Sequence, residues 1–314
     1  MSLHNKQKTS GSFSFGEFVW WMGVVEDRVD KEMSGRVRVR IFGYHTKDLD
    51  DIPKDKLMWA PVLMPANSAS LGGMGVSPTG LLEGSHVFGF FADGHNAQIP
   101  IVFGSYPARP GKQPKGGGFC DPNGKYPEYE PDEQDVNRMA RNEKIEETAV
   151  QKRRDDEDKD VTAAFGDTWS EITTPYAAKY PYNHVRETES HHIQEFDDTT
   201  DAERILLQHK SGSFREMHPD GTEVHKVKKD LYELVYGDDF VHIRGSCKIT
   251  IDGDASLYVK GDAAIEVDGD LKQHVHGDYA LNVDGDMKVQ VDGDLTENSD
   301  STSTYTAPRI DLNP

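Results

Sequence analysis

The chain has 314 residues, of which 35% are hydrophobic, a share too low for a protein that buries all of its mass in globular cores, so part of it is expected to be extended or irregular. A formal net charge of −20 repels phosphate backbones over most of the surface and argues against general nucleic-acid binding unless a basic patch is segregated. Only Cys120 and Cys247 occur, outside any CxxC or Cys/His spacing, and no run approaches the roughly 18 apolar residues of a membrane span, so a disulfide framework, a zinc site and a spanning helix are all unexpected.

Residues 1–14 form a polar arm without the apolar centre of a signal peptide. Residues 15–107 contain strand-like runs at Phe18 to Val25, Gly35 to Phe42, Leu57 to Leu63, Gly84 to Ala92 and Ile99 to Gly104, and five short strands predict a small barrel. Arg36, Arg38 and Arg40 alternate with Val37, Val39 and Ile41, which sets a basic stripe on one face; it reads either as a solvated outer face or as a docking surface for an acidic partner.

Residues 108–167 read as a charged connector, with a Gly/Pro/Lys stretch from Pro110 to Gly118, a charge-rich run from Asn142 to Asp160 and one short helix near Val136 to Ala149. Asp155, Asp156, Glu157, Asp158 and Asp160 could nominally supply an acid and a base. A hydrolase, however, needs one carboxyl in an apolar pocket to raise its pKa, and this run offers none, so the solvated-linker reading is preferred. Residues 168–236 read as a separate β region: His192 to Tyr236 alternates polar and apolar residues, with turn signals at Ser211-Gly212 and Pro219-Asp220-Gly221, and predicts several short strands.

Residues 237–300 carry the strongest signal. Gly237, Gly245, Gly253, Gly261, Gly269, Gly277, Gly285 and Gly293 recur every eighth residue, and two positions before them stand Val235, Ile243, Ile251, Val259, Val267, Val275, Val283 and Val291. Four before the glycine stand Val241, Ile249, Leu257, Ile265, Leu281 and Val289, with Glu233 and Gln273 as exceptions, and an aspartate follows every glycine except Gly245. The two apolar slots share one side of a strand, and Gly-Asp is turn chemistry, with glycine free to take positive φ and aspartate able to bond its own backbone. Each octad is therefore a strand followed by a corner.

One octad is one side of a prism and cannot close a coil alone. Three chains, each laying an octad on one face and passing to the next at the glycine, pair every strand edge. The expectation is an all-β homotrimer ending in an intertwined triple-stranded β-helix with the eight Val/Ile residues as its inward core, roughly 40 Å long at about 4.8 Å per octad. A calcium-binding β-roll is the competitor, but it requires a nonapeptide with paired glycines. His274 and His276 fall at outward slots. Gln273 falls at an inward one and is a candidate for a polar layer of water or an axial ion; otherwise no cofactor and no metal site is expected. Beyond Gly293 the pattern lapses, and residues 301–314 read as an end segment with no apolar point.

Together these elements resemble the central spike proteins of contractile-tailed bacteriophages and, more distantly, the valine-glycine-repeat (VgrG-type) spikes of type VI secretion. WWMGVVEDRVD, SGRVRVRIFGYHT and EGSHVFGFFADGHNAQIPIVFGSYP are similar to that family's oligonucleotide/oligosaccharide-binding (OB) barrel. GFCDPNGKYPEYEPDEQDVNRMAR, TPYAAKYPYNHVRETESHHIQEFDDT and HKSGSFREMHPDGTEV resemble its connector and lead-in. The resemblance implies a virion protein of the tail baseplate, assembled in the host cytoplasm. It also implies docking on a hub ring through the OB barrel, with Arg36, Arg38 and Arg40 as candidates, a separate small tip-capping protein, and transient contact with the host outer membrane as the contracting sheath drives the spike forward. Some family members insert a lysozyme domain of well over a hundred residues between barrel and shaft, and the connector of about sixty residues leaves no room for one. A non-enzymatic spike is therefore expected. The alternatives are the spike of a phage-like injection or type VI apparatus, a cell-wall hydrolase, and an OB-fold nucleic-acid binder supported only by Trp20, Trp21 and the arginine stripe.

Overall fold

A computed structural model describes residues 18–77, 79–107, 135–142 and 160–310. The first five strands are β1 (Val19–Asp27), β2 (Val37–Ile41), β3 (Trp59–Ala60), β4 (His86–Phe91) and β5 (Pro100–Ser105), at the five places where strand-like runs were expected. They form one antiparallel sheet in the order β3-β2-β1-β4-β5. A parallel bridge between Val62 and Val102, with the Leu63 amide donating to the Val102 carbonyl at 2.9 Å, joins the two ends of the sheet into a ring. Inside it pack Trp21, Val25, Val37, Val39, Ile41, Ala60, Leu81, Val87, Phe91 and Val102, the alternate residues of each strand. Gly89 sits where the β4–β5 register shifts, and any Cβ there would overlap the Trp21 indole and the Ile101 carbonyl, so the barrel closes around the tryptophan only because that side chain is missing.

The connector differs from expectation at residues 135–142, which form turns rather than a helix; residues 143–149 lie outside the described residues. The carbonyl of Met139 accepts hydrogen bonds from the Tyr176 hydroxyl and, at 3.1 Å, from Asn183 Nδ2, and Asn142 follows in the left-handed region at φ 53°. A helix cannot continue through that conformation. Met139 and Ala140 are buried, so this stretch belongs to a core and not to a free linker.

A two-stranded hairpin, β6 (Asp160–Thr162) and β7 (Thr168–Ser170), straddles the expected boundary at residue 167. It lies beside the early octads, where Thr250 Oγ1 donates to the Thr162 carbonyl at 2.8 Å and Lys248 Nζ to Asp167 at 2.5 Å. The lead-in is a five-stranded antiparallel meander, β8 (Asn183–Glu187), β9 (Ile193–Asp197), β10 (Arg204–Gln208), β11 (Phe214–Met217) and β12 (Glu223–Lys226). Its turns fall at the predicted places, with Gly212 and Gly221 both at positive φ.

In the octads the backbone bends at 236–237, 244–245, 252–253, 260–261, 268–269, 276–277, 284–285 and 292–293, at each predicted corner. The same spacing continues beyond the glycines, to Lys228-Lys229 before them and Asp300-Ser301 after them. The register therefore extends one corner before the first glycine and, with a further bend at Pro308, two beyond the last, with Lys229 and Ser301 in the place of glycine. Among the described residues of this region, no strand is hydrogen-bonded within the chain.

Candidate functional site

The arginine stripe on β2 is divided by its partners. Arg36 donates from Nε and Nη2 to the Asp30 carboxylate, both at 2.9 Å, and holds that carboxyl well below the usual carboxylate range. Arg38 lies with its guanidinium 4.5 Å from the centre of the Trp59 ring and donates to the Lys54 carbonyl at 3.0 Å. Arg40 departs from the expected stripe. Its side chain is buried against Glu26 and donates to the carbonyls of Thr46 and Ile52, each at 2.7 Å. The loop bearing Thr46 and Ile52 closes over that end of the face, so of the three candidate docking residues only Arg36 and Arg38 reach the surface.

The other end of the outer barrel face is aromatic. Trp20 stacks on Phe88 at 5.0 Å with an 8° interplanar angle and on Phe18 at 5.4 Å, and Phe88 meets Phe103 edge-on at 6.1 Å. Trp20, Met22 and Phe103 are more than half exposed, a continuous apolar surface that the sequence patterning did not single out. Trp21, by contrast, is 3% exposed in the barrel core and cannot stack on a base, which removes half of the aromatic support for a nucleic-acid groove.

The octads repeat one environment. Val235, Ile243, Ile251, Val259, Val267, Val275, Val283 and Val291 are all between 46% and 56% exposed, whereas the apolar residues four before the glycine range from 57% to 90%. Two expectations about the corners are corrected. None of the eight glycines lies at positive φ, and none of the aspartates that follow them makes a hydrogen bond within the described chain. A Cβ added at any of the eight glycines would meet nothing within 4 Å. The single chain thus gives no reason for glycine at its corners. At the far end, Tyr305 donates its hydroxyl to Glu297, which stands eight residues earlier in the same slot.

The lead-in sheet buries charge. Arg204 on β10 lies between Glu195 on β9 and Glu216 on β11, with Nη2 2.7 Å from Glu195 Oε2 and Nη1 2.6 Å from Glu216 Oε1; all three side chains are 1% exposed or less. Thr174 Oγ1 accepts from the same guanidinium at 3.0 Å, and the Tyr176 ring lies 4.6 Å from its centre. Asn183 Nδ2 donates to Glu195 at 2.6 Å, and His218 Nε2 lies 3.0 Å from Glu216 Oε2. Burial pushes the Glu195 carboxyl up by more than Arg204 pulls it down, and burial likewise raises the Tyr176 hydroxyl. This cluster was not among the candidate residues; its sequence signal is an acid at the third position of β9 and of β11 and an arginine at the start of β10 between them. Of the connector acids, Asp160 is exposed and bound to Ser170 Oγ at 2.6 Å, while Asp155, Asp156, Glu157 and Asp158 lie outside the described residues.

The model of the Gp5 N-terminal OB domain family matches residues 44–175, which takes in β3 to β5 of the barrel and runs on through β7. Protein Gp5 of Vibrio phage KVP40 is 39% identical over 267 residues, covering 74% of this chain and 63% of that protein. The pre-baseplate central spike protein Gp5 of Enterobacteria phage T4 is 43% identical over 114 residues, covering 34% of this chain and 20% of that protein. The chain therefore spans less than two thirds of the length of either relative. The chain is thus similar to the phage Gp5 proteins, and its residues 44–175 match the model of the Gp5 N-terminal OB domain.

Proposed function

We propose that the chain is the trimeric, non-enzymatic central spike of a contractile phage tail baseplate, a rigid needle that pierces the host outer membrane when the sheath contracts. The observation that carries this reading is the set of eight glycine corners. They are held in strict eight-residue register, yet neither φ nor any contact inside one chain requires glycine there. The remaining physical reason for glycine is close approach of another backbone. Sister chains passing each corner supply that approach, cover the half-exposed Val and Ile slots and pair the open strand edges.

A shaft so closed resists bending because each octad is hydrogen-bonded on both edges and packed on its inner side. The outward Asp residues keep it soluble. Docking on a hub is assigned to the barrel, through the exposed Trp20 and Phe103 with the half-buried Phe88 between them and the accessible Arg36 and Arg38; a separate small protein caps the tip. A hydrolase reading has little to stand on. The carboxyl that burial raises among the described residues, Glu195, is sealed beneath its own sheet and held by Arg204, out of reach of any substrate. The test is light scattering beside an unheated detergent gel. The expected native mass is three times the 35.1 kDa of one chain, retained in detergent until heated, and a folded 35.1 kDa species would overturn the proposal.

A further inference from the structure

The β6–β7 hairpin has almost no core of its own. All three residues of β7 and two of the three in β6 are exposed, and Phe165 at the tip is 69% exposed with φ 60°. A two-stranded hairpin standing alone is marginally stable at best in water, so its support lies outside it. Glu171, immediately after β7, receives Lys226 of β12, with Nζ 2.6 Å from Oε1 and 2.9 Å from Oε2 and both side chains mostly buried. The other anchors are on the octad 246–252. Lys248 Nζ donates to Asp167 Oδ2 at 2.5 Å and to the Thr168 carbonyl at 3.4 Å, and Thr250 Oγ1 donates to the Thr162 carbonyl at 2.8 Å. Lys248 also holds the Asp167 carboxyl below its ordinary range. Lys248 and Thr250 have the parity opposite to Ile249 and Ile251, so the hairpin lies across the polar side of this octad and leaves the apolar side exposed.

The octad that takes the hairpin is also the one that breaks the repeat. An aspartate follows every repeat glycine except Gly245, where Ser246 stands, and position 246 has the same parity as Lys248, two residues on. The octad 270–276 shows what an aspartate does in that place. Lys272, in the slot of Lys248, has its Nζ 4.0 Å from Oδ2 of Asp270, in the slot of Ser246. A carboxylate at position 246 would draw Lys248 back along its own octad and away from Asp167. The serine leaves the ammonium to the hairpin.

We infer that the β6–β7 hairpin is a strap that fastens the octad 246–252 to the lead-in sheet through Lys248 and Thr250, and that Ser246 is the departure from the repeat that lets Lys248 hold it. The strap is a contact within one chain and goes beyond the association proposed above. The test is hydrogen exchange of residues 160–170 in the full chain, compared with Lys248→Met combined with Thr250→Val, with Ser246→Asp and, as a reference, with Lys288→Met, which changes the same slot in a later octad. The hairpin amides are expected to exchange about tenfold faster in the double variant, about threefold faster in Ser246→Asp and at the unaltered rate in Lys288→Met, with β9, β10 and β11 unchanged throughout as the sign of an intact fold. An unaltered hairpin in the double variant would overturn the strap. Ser246→Asp without effect beside a loosened double variant would overturn the role given to Ser246. Light scattering on the same samples separates this from the association: a single-chain mass with the same order of rates would overturn the association and leave the strap in place.

Discussion

Replacing Arg204 by methionine removes the one guanidinium that lies between Glu195 and Glu216 while keeping most of the side-chain volume. Both carboxylates are fully buried and would be left without their counter-ion, the situation in which breaking a buried pair costs about 3–5 kcal/mol. The loss is local, so the readout is hydrogen exchange of the β9, β10 and β11 amides, which should speed up by about two to four orders of magnitude, while the barrel strands β1 and β4 are unchanged. The pH dependence gives a second signature. Glu195 already titrates above its ordinary value near 4.5, so the folded sheet binds the proton more tightly than the unfolded chain does. Stability from this group is therefore fully present below about pH 4.5 and is lost as pH rises through the raised value; with Arg204 gone that value rises further, and the variant should recover protection on acidification. The triple variant Arg204→Met, Glu195→Leu, Glu216→Leu should recover most of the protection at neutral pH, because it removes the stranded charges together. Unchanged exchange in Arg204→Met, or a variant weakened further by acid, would refute the electrostatic account.

Gly261→Val meets open space in one chain, so it should leave the synthesis of soluble protein intact but lower the yield of detergent-resistant assembly sharply; an unaltered gel would remove the reason given for the glycines. Gly89→Ala places a methyl group against the Trp21 indole and should destabilise the barrel by about 1–3 kcal/mol, read as a lower denaturant midpoint in tryptophan fluorescence. Trp20→Ala should shift that midpoint by no more than about 1 kcal/mol, since the ring is half exposed, yet weaken capture of the hub protein in co-purification; equal capture would move docking elsewhere on the barrel.

A sequence period reports how often an environment recurs, and it does so without saying which side is inside. The octads were legible because eight repeats fix both spacing and slot, and the backbone bends where Gly237 through Gly293 predict. They were not legible at Lys229 and Ser301, where the corner persists but the residue that marks it does not. The five barrel strands were legible from apolar runs. The fate of Arg40 was not, because alternation gives it the same face as Arg38, whereas its burial depends on Glu26 across the β1–β2 pairing and on a loop that folds over that end. The hint was an acid following Gly23, Val24 and Val25 in an otherwise apolar strand.

The lead-in meander shows the same limit in its sharpest form. IQEFD, RILLQ and FREM each alternate, and the usual assignment of apolar residues to the inside fails: Glu195, Arg204 and Glu216 are inside, and Phe196, Ile205 and Met217 are outside. Hydrophobic burial is a statement about the whole assembly and not about one chain. Here the chain's own core accepts an ion cluster, at a desolvation cost of several kcal/mol per charge, while Phe196, Ile205, Leu207 and Met217 stay exposed, an inversion that the association proposed above would relieve.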